Sequence, residues 1–278
     1  NKAIEQLDEL SKKEQPFFMA LGFLKPHLPF NAPKKYWDLY NEKDIELATN
    51  RFQPENAPDE SMHKYGELRK YTNIPSDFNV DVPDTTQKKL IHGYYACVSY
   101  IDAEIGKLIK HLKKIDIYEN SIIVLWGDHG WQLGEHNLWA KHCNYQTSLK
   151  VPLLIKYPEQ KKQKRINTVV ELLDIYPTLC DLSNIKKPKH LQGKSLLSIN
   201  NSDPKNLYGY SKYHRGETVT SIDKSYTEWR MKDNNFKADM MYDLLKDPNE
   251  NINISNNMEN HSKINEFQYL LDSIRKLD

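Results

Sequence analysis

Apolar residues recur with helical spacing in several parts of the chain, and each of these parts predicts a helix. In the longest part, which begins at Asp84, the apolar positions up to Leu112 follow the i, i+3, i+4 spacing of a helix with one buried face. The same spacing recurs at 3–10 and at 261–277. A further helix is predicted to begin after Asp174, because aspartate is favoured at helix starts.

In three other segments, apolar residues follow one another without interruption. These segments, 16–23, 121–127 and 151–155, are typical of strands that are buried on both faces, as in parallel sheets. Residues 167–170 form a shorter candidate strand. Because these strands alternate with the predicted helices, the sequence indicates an α/β fold with a mostly parallel sheet.

The pattern changes after about residue 200, where apolar residues and tyrosines fall in short stretches. Such stretches, followed by an amphipathic helix, predict an antiparallel meander closed by that helix. We therefore divide the chain into an α/β domain, residues 1–204, and a small α+β subdomain, residues 205–278. The predicted meander strands are 207–213, 218–222, 226–231 and 240–245.

The charge balance bears on the kind of partner that the protein binds. The chain has 278 residues with 39 basic and 38 acidic side chains, so its formal net charge is +1. This balance gives no electrostatic reason to expect a nucleic acid or an anionic membrane surface as partner. The sequence contains no run of about 18 apolar residues, so no membrane insertion is predicted.

The strongest chemical signal lies where the second apolar run ends. Asp128 and His129 follow this run directly, and ligands of open α/β sheets bind beyond the carboxyl ends of the strands. An adjacent acid and imidazole suit a metal ion, although the same residues also suit a turn between glycines. Lys141, in the same loop, offers a compact cation for an anionic oxygen, although most single lysines are simply solvated.

A second polar cluster follows the first apolar run. In Lys25-Pro26-His27 the proline restricts the backbone, so the ring of His27 is expected to be held in one direction. An imidazole there is a candidate general acid or anion ligand, and a hydrogen-bonded loop histidine is the alternative. If both strands deliver their residues to one crevice, the cations together with a metal predict an anionic ester as substrate.

Several segments, taken in order, closely resemble the formylglycine-dependent (type I) sulfatase family, in particular the iduronate-2-sulfatase group and its bacterial relatives. They extend from about residue 16 to residue 250, and six motifs in the same order make chance agreement negligible. The matching segments are 17–30, 94–102, 128–136 with 139–141, 174–179, 192–197, and 241–244 with 247–248.

The resemblance implies an alkaline-phosphatase-like α/β fold in which residues 1–204 are the C-terminal part of the catalytic domain. Asp128 and His129 match two ligands of the family's active-site calcium ion (Ca2+). Lys141 matches the lysine that contacts the sulfate. His27 matches a histidine near the leaving-group oxygen, where it would contact the sulfate and act as a general acid.

The family's nucleophile is a formylglycine made from the Cys or Ser of a Cys-x-Pro-Ser-Arg motif. None of the chain's three cysteines begins such a motif. We therefore expect the formylglycine and the remaining metal ligands upstream of this chain. The resemblance then implies that the chain works with a missing N-terminal portion of the same enzyme and has no sulfatase activity alone.

A sulfated glycan or oligosaccharide is the substrate class that the resemblance implies, and a 2-O-sulfated uronate is one candidate. Trp131 and Arg215 would line a sugar subsite, where Arg215 would face a uronate carboxylate; packing or solvated surface is the alternative role of each. Because sulfated glycans occur outside the cytosol, a periplasmic, extracellular or lysosomal location is expected, although no signal peptide is visible.

Two other functions stay open at this point. Hydrolases of phosphate or phosphonate esters in the alkaline-phosphatase superfamily share an Asp-His metal pair, and metal content or the nucleophile motif would separate them from sulfatases. The second alternative is a non-catalytic, sulfatase-like protein that binds sulfated glycans, and it predicts that no nucleophile motif precedes this segment.

Overall fold

The computed structural model of the chain describes residues 2–160, 162–163, 165–201, 207–233 and 235–276. The α-helices in this part of the chain are α1 (Lys2–Leu10), α2 (Lys34–Trp37), α3 (Asp84–Lys114), α4 (Gln146–Leu149), α5 (Ile175–Leu182) and α6 (His261–Arg275). The strands are β1 (Ile123–Trp126), β2 (Gln132–Leu133), β3 (Trp139–Ala140), β4 (Leu153–Lys156), β5 (Gly209–Tyr213), β6 (Gly216–Thr220), β7 (Lys224–Arg230) and β8 (Phe236–Asp243). None of these described helices has the length and apolar character that crossing a membrane requires.

Contacts within the chain group its residues into two compact units. The first unit comprises residues 1–48, 67–125 and 153–161. The second unit comprises residues 49–66, 126–152 and 162–278. The predicted domain boundary between residues 204 and 205 lies outside the described residues and stays a prediction.

The first unit is organised around α3, which packs against α1 and α2. The Nε2 atom of His111 in α3 lies 2.8 Å from Oδ1 of Asp8 in α1. The ring of His92 in α3 stacks on the ring of Trp37 in α2 at a centroid distance of 4.1 Å. β1 and β4 are hydrogen-bonded neighbours in a two-stranded sheet.

The second unit contains a four-stranded antiparallel sheet in the order β5-β6-β7-β8. Because successive side chains of a strand point to opposite faces, the sheet contributes to two cores. The core on the face that packs on α6 consists of Val219, Tyr226, Met241, Ile264, Phe267 and Leu271. The core on the other face consists of Leu138, Cys143, Tyr145, Trp229, Met240 and Tyr242.

The structure confirms the helices and the meander that the sequence predicts. α1, α3 and α6 lie in the three segments with helical spacing, and α5 begins directly after Asp174. All four meander strands are present and antiparallel. Their limits move by a few residues, since the strand predicted at 240–245 is β8, which begins at Phe236.

The strands predicted at 16–23 and 167–170 are wrong. Neither segment forms a strand, and in the first the side chains of Phe17 and Phe18 are 40% and 82% exposed. A strand buried on both faces needs hydrogen-bonding neighbours at its edges and packed layers above and below. An apolar run of this length does not itself supply those neighbours, so its composition is an insufficient signal.

The other two apolar runs form strands that are shorter and less buried than predicted. The run at 121–127 contains β1, in which Leu125 and Trp126 are 38% and 48% exposed. The run at 151–155 overlaps β4, in which Leu154 is 57% exposed. Burial on both faces is therefore wrong for these residues, although the strands themselves are confirmed.

Candidate functional site

Residues 128–150, here called the site segment, follow β1 and carry four of the predicted site residues. The sequence predicts a loop here, and the structure places a hairpin and the short helix α4 within it. In the hairpin, β2 pairs antiparallel with β3, and Gln132 lies opposite Ala140. The predicted site residues are therefore carried by, or lie next to, a hydrogen-bonded hairpin.

Gly130 allows the two ends of the site segment to approach each other closely. Its backbone nitrogen donates to the Ser148 carbonyl at 2.8 Å, and that of Trp131 donates to the Thr147 carbonyl at 3.0 Å. A Cβ atom at position 130 would lie only 2.0 Å from the Thr147 carbonyl oxygen. Only glycine therefore fits at position 130 without displacing the backbone.

The hydrogen bonds of His129 determine which of its ring nitrogens can bind a ligand. The Nδ1 atom lies 2.8 Å from the Gly130 carbonyl oxygen, which can only accept, so Nδ1 carries a proton. In the neutral ring, Nε2 then keeps its lone pair, and it lies 3.6 Å from Oδ2 of Asp128. The Asp128 side chain is 86% exposed. Two electron-pair donors therefore lie side by side at the end of β1.

Lys141 shares an aromatic neighbour with His129. The Nζ atom of Lys141 lies 4.9 Å from the centroid of the Trp131 ring, and the His129 ring lies 6.0 Å from the same ring. Trp131 itself is only 8% exposed. Lys141 follows Ala140, which has a left-handed backbone with φ of 74°, and Trp139, which is 1% exposed. The cation is thus mounted on a packed, constrained backbone.

Buried hydrogen bonds attach the second half of the site segment to β6 and to Ser61, which precedes the site segment in the chain. Nδ2 of Asn144 donates to the Gly216 carbonyl at 3.1 Å and to Oγ1 of Thr218 at 3.0 Å. The Tyr145 hydroxyl donates to Oγ of Ser61 at 2.9 Å. Because these groups are shielded from water, losing one partner leaves a buried polar group unsatisfied.

His136 has a structural role within the site segment. It is 1% exposed, its ring lies 4.4 Å from that of Tyr145, and its backbone nitrogen donates to the Asn50 carbonyl at 2.8 Å. Burial lowers the pKa of His136 to about 4, so the ring is neutral at neutral pH. This placement agrees with a histidine that organises the segment.

Glu250 is a buried acid that the sequence does not single out. Its Oε2 atom accepts from the backbone nitrogen of Gln146, the first residue of α4, at 2.7 Å. Complete burial raises the pKa of the Glu250 carboxyl to about 8, against the lowering effect of the hydrogen bond from Gln146. The negative charge of Asp247 raises this pKa further. Glu250 thus binds the first residue of α4, the helix that follows Lys141. Its carboxyl is mainly protonated at neutral pH.

We expect Glu250→Gln to remove a pH-dependent part of the stability. The carboxyl binds its proton more tightly in the folded state, with a pKa of about 8, than at its ordinary value of 4.5. Its contribution to the unfolding free energy is therefore full below about pH 4.5 and is lost as the pH rises through about 8. Urea unfolding should show that the wild-type advantage over Glu250→Gln falls by a few kcal/mol between about pH 5 and about pH 9.

The exposed Glu259 provides a matched control for this measurement. Glu259→Gln removes the same type of group from the same unit without a buried partner. Its unfolding free energy should follow that of the wild-type protein at every pH. A constant difference between wild type and Glu250→Gln across the pH range would contradict the effect assigned to Glu250.

His27 lies in the first unit, where it has its own acidic partner. Its Nδ1 atom lies 2.9 Å from the Leu28 carbonyl oxygen, and its Nε2 atom lies 3.1 Å from Oε1 of Glu67. Both oxygens are acceptors, so each can take a hydrogen bond from a ring nitrogen that carries a proton. The roles predicted for His27 as sulfate contact and general acid stay predictions.

Arg215 lies in the second unit, in the turn between β5 and β6. It lines a groove of about 460 Å³ together with residues of β7 and α6. Asp128, His129, Trp131 and Lys141 are grouped with one another, and none of them lines this groove. The predicted contact between Arg215 and a uronate carboxylate stays a prediction.

The donor set at Asp128 and His129 fits part of a metal site. Among the residues that the structure describes, no group of three or more His, Cys, Asp and Glu side chains is arranged to hold a metal ion. Calcium binds about six to eight ligands, mainly oxygens, and this pair offers one carboxylate and one imidazole nitrogen. The pair is therefore compatible with a metal ion whose other ligands come from elsewhere.

Two family models match the chain. A model described as sulfatase matches residues 1–185. A second model, described as the C-terminal part of N-sulphoglucosamine sulphohydrolase, matches residues 134–277. Together they account for nearly the whole chain, and both include Lys141.

Curated relatives carry corresponding names. A sulfatase of Formosa agariphila is 36% identical over 262 residues, which cover 93% of this chain and 50% of the relative. Iduronate 2-sulfatase of Mus musculus is 26% identical over 300 residues, which cover 82% of this chain and 54% of the relative. The chain thus spans about half the length of these curated relatives.

Solved structures show the same fold. A protein solved in complex with its substrate D-glucosamine-2-N,6-O-disulfate superposes with a TM-score of 0.76 at 21% identity, covering 99% of this chain and 68% of that one. A phosphonate monoester hydrolase from Silicibacter pomeroyi superposes with a TM-score of 0.77 at 20% identity, covering 98% and 59%. These similarities confirm the predicted α/β, alkaline-phosphatase-like fold.

Proposed function

This chain belongs to the sulfatase family, and we propose that the protein in which it occurs hydrolyses a sulfate ester on a glycan. The observation that carries the proposal is that His129 and Lys141 lie against the same buried Trp131 ring and that Asp128 lies beside His129. This grouping combines two metal-type donors with a cation on one packed segment. Such a set suits an anionic ester better than a neutral substrate.

We assign Lys141 to the sulfate group. A lysine ammonium is a compact cation with three donors, and it would hold one sulfate oxygen as negative charge shifts during cleavage. His27 is proposed as a second sulfate contact and as the general acid at the leaving-group oxygen. Its position between two acceptor oxygens supports this role, because the ring is arranged to hold a proton at Nε2.

Asp128 and His129 are proposed as two ligands of a calcium ion. The Asp128 carboxylate and the unprotonated Nε2 of His129 are the atoms that would bind it. When bound, the ion would supply positive charge that offsets the negative charge of the sulfate. The nucleophile is proposed to be a formylglycine on a segment that precedes this chain in the full polypeptide.

The proposed substrate class is a sulfated glycan, and a 2-O-sulfated uronate is the specific candidate. The name of the mouse relative, iduronate 2-sulfatase, supports the uronate candidate. The disulfated glucosamine bound to a protein of the same fold supports only the broader class of sulfated sugars. Trp131 is proposed as a further contact of the sugar that carries the sulfate ester. Arg215, which lines a groove that none of Asp128, His129, Trp131 and Lys141 lines, is proposed to contact another part of the glycan. The same substrate class supports a periplasmic, extracellular or lysosomal location.

Hydrolysis of a defined disaccharide by the full-length protein tests the proposal. We expect the protein, purified with calcium, to release inorganic sulfate from a disaccharide with a 2-O-sulfated uronate. Chelation of the metal should abolish the release, and re-addition of calcium should restore it. Sulfate release that is indifferent to chelation, or no release from any sulfated sugar in a panel of positions, would overturn the proposal.

Phosphonate monoester hydrolysis is the second candidate function. The superposition on the Silicibacter pomeroyi enzyme, with a TM-score of 0.77, is the observation that favours it. The same assay should therefore include a phenyl phosphonate monoester beside an aryl sulfate. A larger kcat/KM for the phosphonate would favour this second candidate over the sulfatase.

A further inference from the structure

The groove that contains Arg215 carries an excess of positive charge. It has a volume of about 460 Å³, and its charged lining residues are Lys212, Arg215, Glu217, Arg230, Lys232 and Arg275. Its volume falls within the range of about 300–1,000 Å³ that is typical of small-ligand pockets. With five cations and one carboxylate, the side chains that line the groove carry a net positive charge.

The groove lies on the α6 face of the four-stranded sheet. On β6, Thr218 points toward the site segment, since its Oγ1 accepts from Nδ2 of Asn144 at 3.0 Å. The preceding residue, Glu217, therefore points to the other face, where it accepts from Nε of Arg275 in α6 at 2.6 Å. The groove and the contact with Asn144 thus use opposite faces of the same sheet.

The acidic groups at the base of the groove are already neutralised. Arg275 donates from Nη2 to Oε1 of Glu228 at 2.8 Å, and Arg230 donates from Nε to the same oxygen at 2.5 Å. Glu217 also pairs with Lys212 at 3.0 Å. Burial raises the pKa of Glu217, but the bonds from Lys212 and Arg275 outweigh it and leave this pKa below its ordinary value. Glu217 is thus held as a paired anion. Glu228 accepts from both arginines of the groove base.

The rim of the groove supplies cations whose charge the carboxylates at its base do not neutralise. Arg215 lies in the turn between β5 and β6, and Lys232 lies in the turn after β7; both are exposed. Neither has an acidic partner within the described parts of the chain. Even when Glu228 and Asp272, which pair with the two arginines of the groove, are counted, cations exceed carboxylates by two.

We propose that this groove is a second binding site for a sulfated glycan, with Arg215 and Lys232 contacting its sulfate or carboxylate groups. Arginine binds such groups through two parallel hydrogen bonds, and lysine adds a mobile point charge. A sulfated glycan carries several anionic groups along its length, and these match the several cations spread over the groove. A glycan bound there would also raise the local concentration of its other sulfated units. This inference rests on the proposed function for its choice of ligand.

Binding of a fluorescent heparin-derived tetrasaccharide to the full-length protein tests the groove. The double variant Arg215→Ala/Lys232→Ala should raise the Kd about tenfold or more, because charged hydrogen bonds are lost. It should also weaken the salt dependence of binding. Arg165→Ala/Lys246→Ala is the matched control, because it removes one exposed arginine and one exposed lysine of the same unit outside the groove. The control should bind like the wild-type protein.

The possible outcomes test the proposed groove site and the proposed function independently of each other. Equal losses in both double variants would overturn the groove, even if the wild-type protein hydrolyses 4-nitrocatechol sulfate. A selective loss in the groove variant of a protein that hydrolyses no sulfate ester would support the groove and overturn the proposed function. A single-stranded DNA octamer that binds the wild-type protein more tightly than the tetrasaccharide would overturn the choice of a glycan.

Discussion

Replacing Lys141 by alanine in the full-length protein should lower kcat for sulfate-ester hydrolysis about 100-fold or more, the loss expected when an oxyanion-stabilising group is removed. The ammonium group lies 4.9 Å from the Trp131 ring and follows a backbone in a left-handed conformation at Ala140. Water that enters the vacated space would not reproduce a fixed positive charge. The effect should therefore fall mainly on kcat rather than on KM.

Two further variants show whether the loss comes from the Lys141 charge. Lys141→Arg keeps the charge but changes its shape, so we expect an activity between those of the wild-type protein and Lys141→Ala. Lys150→Ala removes an exposed lysine at the end of the same segment, and its rate should stay within about twofold of wild type. Near wild-type turnover in Lys141→Ala would remove Lys141 from the proposed sulfate site.

Replacing Asp128 by alanine should remove bound calcium from the full-length protein. The Asp128 carboxylate is the charged member of the donor pair, and its Oδ2 atom lies 3.6 Å from Nε2 of His129. Without it, the remaining imidazole is a poor partner for a hard, oxygen-preferring cation. Calcium affinity should therefore fall about 100-fold or more, which elemental analysis after dialysis would measure directly.

Asp59→Ala is the control for this metal measurement. Asp59 is an exposed aspartate of the same unit, so its replacement changes the net charge equally. The control protein should retain its calcium, and Asp128→Asn, which keeps one oxygen donor, should retain part of it. Full metal occupancy in Asp128→Ala would show that Asp128 is not a ligand, whatever happens to the activity.

The parts of the fold that the sequence predicts correctly are those whose signal is local. The stripe along α3 and the amphipathic face of α6 specify helices from spacing alone, because one buried face is enough to stabilise each helix. The segment at 16–23 fails for the opposite reason. A buried strand depends on neighbours that lie far away in the sequence, and Phe18 is 82% exposed here.

The candidate site also contains some residues that a local sequence signal identifies and others that only the folded structure identifies. Asp128, His129 and Lys141 can be found from the sequence because they follow one strand within a short stretch. In the structure, His129 and Lys141 lie at the Trp131 ring and Asp128 lies beside His129. Glu250 is far from them in the sequence and carries no motif of its own. Its significance comes from burial and from its bond to Gln146, both of which exist only after folding. The rim of the groove likewise depends on two separate turns of the sheet.

The buried carboxyl of Glu250 also changes the electrical charge of the folded molecule. The formal net charge of +1 counts every glutamate as ionised. With a pKa of about 8, Glu250 keeps its proton at neutral pH, so on this account the native chain carries one positive charge more than its composition gives. At neutral pH, folding therefore takes up a proton at this carboxyl, so the Glu250 side chain has different charges in the native and denatured chains.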